Sequence, residues 1–597
     1  MTSPRPKYEG WLYWLAFLIA LAFRLIQLGA VPLTDSEAQF ALQALRLAQG
    51  ENPLLGPQPA YILFTSVLFL VTESANFLAR FIPALAGSVL VFAPYYFREK
   101  LKPLPALILA FLIAFDPGLV ALSRQAGGTI LAVTFLFFAW GMWRNGRAVP
   151  AGIFAALALL SGPSVWSGVL TLGLTSLFLR GTIKPTTPNT LHAPRNTLHA
   201  TRNTLHATRN TLHAPRNTLI ALLSTLLLGG TLFFTAPNGL SALFNSLPAY
   251  LRGWTSASVF SPGRVLFTFL VYEPLGIFLA IFALIRGFRL KSARVARLGL
   301  WLGVSLLLAV FYRQTSELAW VIVPLLILAA QELSRALDIY REERVEIGVV
   351  AGAILILLIY IWFNVASIGL NPYEQFISTT APTSITIFGR AVELSVNPRY
   401  LVLIGASLIL LVCISLVAFG WSPRTARLGT TWSFSLFLGV YALAAAWGAS
   451  GQRIPNGVEL WKPDQPPLHA DLLISSVNDI SLFSRGHVQA QPVTVMGVHS
   501  PALEWALRNH DVEIVSVLDP LNAPPIVITP LMNELGLPSA YRGQDFTWRQ
   551  PPVWDNIQRP DWIRWLVYRQ LPRQTETIIL WARDDLFPDS REDVQQP

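Results

Sequence analysis

Apolar stretches alternate with short polar loops along the first 450 positions of the chain, at 11–28, 77–97, 104–121, 128–143, 148–161, 164–179, 219–236, 265–285, 298–312, 319–334, 347–368, 399–420 and 432–449. Most approach the roughly 20 apolar residues that a helix needs to cross a bilayer's hydrocarbon; the two flanking Gly162 are the shortest. The pattern predicts a polytopic α-helical membrane protein with about thirteen transmembrane helices over 1–450. Beyond 450 it changes. Short β-branched runs at 493–496, 512–515, 526–528 and 577–580 are interleaved with helix-like stretches at 470–483, 502–509 and 560–571. Strands alternating with helices predict a small α/β domain over 451–597, long enough for one core.

Charge orients the spans. With Arg5 and Lys7 placed in the cytoplasm, alternate loops on that side collect Arg98, Lys100 and Lys102; Arg144 and Arg147; Arg180 and Lys184; Arg286, Arg289, Lys291, Arg294 and Arg297; Arg335, Arg341 and Arg344; and Arg424 and Arg427. The opposite loops hold fewer cations, among them Arg46, Arg124, Arg252, Arg264, Arg313 and Arg390. This is the positive-inside bias. It predicts an odd number of spans, a cytoplasmic N-terminus and an extracytoplasmic C-terminal domain, in a prokaryotic-type plasma membrane. The formal charge of +10 then follows from anchoring and implies no nucleic acid partner. The N-terminal stretch has basic residues before it and no small-residue cleavage site after it, so it reads as a retained first span.

Composition agrees: 53% hydrophobic against 13% charged residues excludes an ordinary soluble enzyme. The single cysteine, Cys413, lies within a span, so no disulfide forms within the chain. Residues 189–219 form a seven-residue tandem repeat, NTLHAPR, NTLHATR, NTLHATR, NTLHAPR, NTL. One large apolar residue per unit and two prolines argue against a coiled coil. Residues 185–218 are read as a disordered cytoplasmic insert, and its evenly spaced histidines as no preorganised metal site.

Candidate chemistry concentrates in the loop at 29–76. Asp35 and Glu37 stand where the first span emerges, and the apolar positions 38, 41, 42, 45 and 48 follow helical spacing up to Gly50. This predicts an amphipathic surface helix. Two readings of the acids stand. Thr34-x-x-Glu37 has the form of a capping box, with Asp35 favouring the helix dipole; alternatively, the pair is catalytic. Arg124 and Arg313 likewise read either as cations reaching headgroups or as phosphate ligands.

An arginine-bearing first span, an acidic pair and the helix EAQFALQALRLAQG together resemble the GT-C superfamily of membrane glycosyltransferases, and within it glycosyltransferase family 39, the branch of protein O-mannosyltransferases and lipid A aminoarabinose transferases. The segments ESANFLARFIPALAG at 73–87 and ALSRQA at 121–126 are similar to stretches of that family. The segment SELAWVIVPL at 316–325 is similar to a narrower group associated with lipid-linked sugar flipping and N-glycosylation. Tyr568-Arg569 and Trp581-Ala582-Arg583 look like the end of that group's tail.

The resemblance implies transfer of a sugar from a polyprenyl-phosphate donor to an extracytoplasmic lipid, glycan or protein, with inversion. It places Asp35 or Glu37 as the general base and makes Arg124 and Arg313 candidates for the leaving phosphate. It would also bring a divalent metal to adjacent acids. Here Ser36 separates them, and Thr129 stands where the second loop would hold another, so the donor set for a metal is thin. The alternative is a non-catalytic protein that handles lipid-linked sugars or accompanies their flipping. A proton-coupled transporter is disfavoured by the scarcity of mid-span acids and the absence of visible internal repetition.

Overall fold

A computed structural model describes residues 8–182, 200–258, 260–370, 383–387, 390–394, 398–452, 458–462, 464–554 and 559–587. Arg5, Lys7 and the first part of the repeat insert lie outside the described residues.

Each of the thirteen apolar stretches falls on helix. Among the described residues, six helices are long and apolar enough to cross a membrane, or up to nine when three bent pairs count as single spans. The chain is an integral membrane protein. The bends have local causes. Pro103–Phe115 and Pro117–Ser123 meet at 55°, and Pro262–Tyr272 and Pro274–Arg289 at 85°. In both, a proline opens the second helix and cannot donate to the turn before it. Ala148–Leu160 and Ser164–Phe178 turn back on each other at 119° around Gly162, whose φ of +111° is open to glycine alone.

The first loop departs from a plain surface excursion. Helix α1 (Glu9–Leu25) ends near its start, and α2 (Asp35–Ala48) is the expected amphipathic helix. It is followed by α3 (Pro59–Val71), an apolar helix too short to span and largely buried. Helix α4 (Asn76–Val89) then leads into a tighter turn, and together they carry the chain from this face to the opposite one at Leu101. The repeat also differs from expectation: Ala200–Gly230 is one helix with Pro215 inside it. Alanine, leucine and arginine are strong helix formers, and the apolar turns after Thr218 extend backward into the repeat.

The strands β1 (Thr383–Ile387) and β2 (Arg390–Leu394) pair antiparallel. The C-terminal region builds a mixed sheet from β3 (Val493–Met496), β4 (Val512–Val515), β5 (Ile526–Pro530), β6 (Tyr541–Arg549) and β7 (Glu576–Arg583), in the order β4-β3-β5-β7-β6. β3 is parallel to β4 and β5, while β7 is antiparallel to β5 and β6. The parallel β3–β4 step is bridged by the helix Pro501–Ala506, as a crossover requires.

This domain is wedged into the helices. Val458, Leu460 and Trp461 are buried, with Trp461 touching Gly118. The helix Arg559–Tyr568 inserts Trp562 and Trp565 against Phe267, and the Trp565 indole donates to the Val458 carbonyl at 2.7 Å.

Candidate functional site

The capping box at the start of α2 is present: the Thr34 amide donates to Glu37 Oε2 at 3.1 Å. Glu37 does more than cap. Arg80 of α4 grips it with two bonds, Nε to Oε1 at 2.7 Å and Nη2 to Oε2 at 2.6 Å. The Ala126 amide of the second loop donates to Oε1 at 3.0 Å. Burial by itself would raise this carboxyl. The Arg80 charge and the hydrogen bonds outweigh it and bring the group down to about 2. Arg80 in turn donates to the carbonyls of Leu28, Val31 and Pro32 at 3.2, 2.7 and 3.1 Å. One buried ion pair therefore fastens the end of the first span, the surface helix and the second loop together.

Asp35 faces the other way. It pairs with Arg549 at the end of β6 and accepts from Ser500 Oγ at 2.7 Å and the Ala502 amide at 3.0 Å. Arg124 is spent on the C-terminal end of α1, where its guanidinium satisfies the carbonyls of Phe23, Arg24, Ile26 and Gln27 at 2.9 to 3.2 Å. Such terminal carbonyls have no partner within their helix. Arg313 sits in the left-handed region (φ 58°) and donates to the Ser256 carbonyl at 3.2 Å. The four residues expected from sequence thus do not converge: Glu37 borders one cleft, Arg313 reaches only a backbone carbonyl of that cleft's wall, Asp35 faces the tail domain and Arg124 caps a helix.

That cleft opens on the first-loop face. Two adjoining cavities of about 460 and 470 Å³ share Gln58, Thr129, Gly253, Ser256, Gln314 and Ser316 in their walls. Trp461 closes one side and Glu37 lies at the edge. Glu317 and Arg252 line the second cavity. The Glu317 carboxylate is 4% exposed and accepts from Ser164 Oγ at 3.2 Å; that hydroxyl accepts from the Trp320 indole at 3.1 Å. No cation pairs with Glu317 or acid with Arg252 among the described residues. Backbone approach shapes the wall. Gly128 donates to Gln58 Oε1 at 2.7 Å, and a Cβ on it would stand 1.9 Å from the Ser161 carbonyl oxygen.

Glu317 was visible in sequence as the acid of SELAWVIVPL, and Arg252 as one of few cations on that side, but neither pattern alone assigns a task. The donor set among the described residues does not fit a divalent metal. Among the described residues no three His, Cys, Asp or Glu side chains gather as ligands, and the first-loop acids are occupied by arginines and amides.

No family model matches the chain, and neither does any curated protein. Solved structures are similar over most of its length at low identity. ArnT from Cupriavidus metallidurans bound to undecaprenyl phosphate is 14% identical, with a TM-score of 0.46, covering 88% of this chain and 94% of that one. The apo form of that protein is 13% identical at 0.42, covering 87% and 93%. The Archaeoglobus fulgidus oligosaccharyltransferase in complex with zinc and sulfate is 11% identical at 0.38, covering 87% and 68%.

Proposed function

We propose that the chain is a GT-C-like membrane glycosyltransferase that takes a sugar from a polyprenyl phosphate and passes it, in the cleft beside the first loop, to an extracytoplasmic lipid, glycan or protein. The observation that carries this reading is that one polar cleft at the face of a helical membrane protein is lined by both a carboxylate, Glu317, and a guanidinium, Arg252, neither in an ion pair among the described residues. Glu317 takes the proton of the acceptor hydroxyl or amine. The acceptor atom bonds to the anomeric carbon as the bond from that carbon to the phosphate oxygen breaks. The lipid phosphate leaves with the electron pair, held by Arg252. Attack opposite the leaving group inverts the anomeric centre. Glu37 serves as a positioning residue in this scheme, because a carboxylate brought down to about 2 by Arg80 has little driving force to accept a proton at neutral pH.

The test is sugar transfer in proteoliposomes from a panel of polyprenyl-phosphate sugars. Glu317→Gln is expected to lower the rate by about 10²-fold or more without unfolding the protein. Transfer that survives Glu317→Gln but collapses in Asp35→Asn or Glu37→Gln would return the base to the first loop. The second reading, a protein that holds lipid-linked sugars without transferring them, has one observation in its favour: both first-loop acids are fully engaged by arginines. Donor binding with no transfer from any donor would establish it.

A further inference from the structure

The opposite face of the helix bundle carries a separate cavity, of about 490 Å³, sharing no lining residue with the cleft. Its interior is apolar, walled by Leu109, Phe137, Trp301, Val323 and Ile327. Its mouth is cationic: Lys100, Arg144, Arg294 and Arg297 all line it, against a single acid, Glu99. None of the four cations is in an ion pair among the described residues. Arg294 is held over the mouth by a 3.0 Å bond to the Lys100 carbonyl, and Arg297 is braced on the Ala293 carbonyl at 3.2 Å.

Two further features point to an anion here. Gln331, 8% exposed, lines the cavity, and its side-chain amide nitrogen has no hydrogen-bond partner among the described residues. A buried amide is costly to leave unpaired. Arg294 and Arg297 also stand in the first turns of the helix Ala293–Tyr312, which has no side-chain cap and no acid there. Cations at a helix N-terminus oppose its dipole, and an anion at that end is favoured. On the facing helix, Val323, Ile327 and Gln331 follow one another at four-residue spacing, so the apolar wall extends about 12 Å inward from the amide.

We propose that this cavity is a second lipid site, binding an amphiphile with a phosphate monoester head and a single apolar chain. The head sits among Arg144, Arg294, Arg297 and the Gln331 amide, which donates to a phosphate oxygen, and the chain runs inward along Trp301, Ile327 and Val323. A free phosphate would leave the apolar wall uncovered, and an uncharged amphiphile would leave the four cations and the amide unanswered. The size is that of an ordinary small-ligand pocket. The proposal is independent of whether the cleft on the other face transfers sugar.

The experiment is native mass spectrometry titration of the full-length protein in detergent, with dodecyl phosphate, dodecanol and inorganic phosphate as probes. It is carried out in an Arg252→Gln background, so that the cleft contributes least. Dodecyl phosphate is expected to bind one per chain, at least about tenfold tighter than either of the others. Arg294→Gln/Arg297→Gln should weaken it about tenfold or more, and Gln331→Leu several-fold, with melting temperatures unchanged. Equal binding of dodecanol would show an apolar cavity only, and equal binding of inorganic phosphate a surface anion site only; either overturns the proposal. So does dodecyl phosphate affinity that is indifferent to both variants.

Discussion

Glu37→Gln offers the sharpest test of how the first loop is built. The variant keeps the side chain's size and removes one charge from a pair in which each side chain is 6% exposed. Arg80 would keep its three carbonyl partners but remain a buried cation with no counter-charge. Breaking a buried pair in this way destabilises by about 3–5 kcal/mol. The titration of Glu37 gives an independent figure. A fall from 4.5 to about 2 corresponds to about 3 kcal/mol of pH-linked stability. Because the folded-state value is depressed, that stabilisation is fully present above the unfolded value near 4.5 and is lost as pH falls through the folded value near 2.

The assay is denaturant-titrated unfolding in micelles, followed by tryptophan fluorescence, on wild type, Glu37→Gln, Arg80→Met and the double variant. Each single change is expected to cost several kcal/mol, and the double less than their sum by about 2 kcal/mol. The gap between wild type and Glu37→Gln should narrow as pH drops from 5 toward 3. A single variant within about 1 kcal/mol of wild type, additive behaviour, or a gap indifferent to pH would refute the ion-pair account.

Other outcomes follow from neighbouring contacts. Arg124→Gln should lose about 2 kcal/mol of stability through the uncapped carbonyls of α1, while donor binding measured by the same mass spectrometry stays unchanged; weakened donor binding at full stability would make it a phosphate ligand instead. Asp35→Asn should loosen the tail from the first loop, seen as faster trypsin cleavage beyond residue 450 with the melting of the helical part unaltered. Unchanged proteolysis would mean the Arg549 contact is dispensable. Gly128→Ala cannot be accommodated without moving the Ser161 carbonyl, so a drop of about 1–3 kcal/mol, read as a lower melting temperature together with lost transfer, is expected; wild-type behaviour would place that wall elsewhere.

The helices were legible because a bilayer forces long apolar runs, and the tail strands because β-branched clusters are compact signals. What escaped has physical reasons. PAYILFTSVLFLV at 59–71 is apolar but too short to span, so it was hidden inside a loop. The stretch 265–285 reads as one span although Glu273 and Pro274 break it, because hydropathy averages over a single acid. β6 carries YRGQDFTWR, mostly polar and exposed on one face, and so lacks a strand's apolar run. At the site, sequence showed which acids stand at the loop's start but not their partners. Asp35 with Arg549 and Glu37 with Arg80 are long-range pairings that no local pattern encodes. Glu317 looked like one letter of a motif until the fold set it in a cleft with Arg252.

The contact between Asp35 and Arg549 joins residues 514 positions apart. At ribosomal speeds of 5–20 residues per second, about 25 to 100 s separate the synthesis of its two halves. During that interval the first loop has already left the translocation machinery without its clasp. Completion of the chain is thus reported directly to the loop beside the cleft. A polypeptide released early would carry every membrane helix and yet keep that loop unfastened, open to any protease on that face.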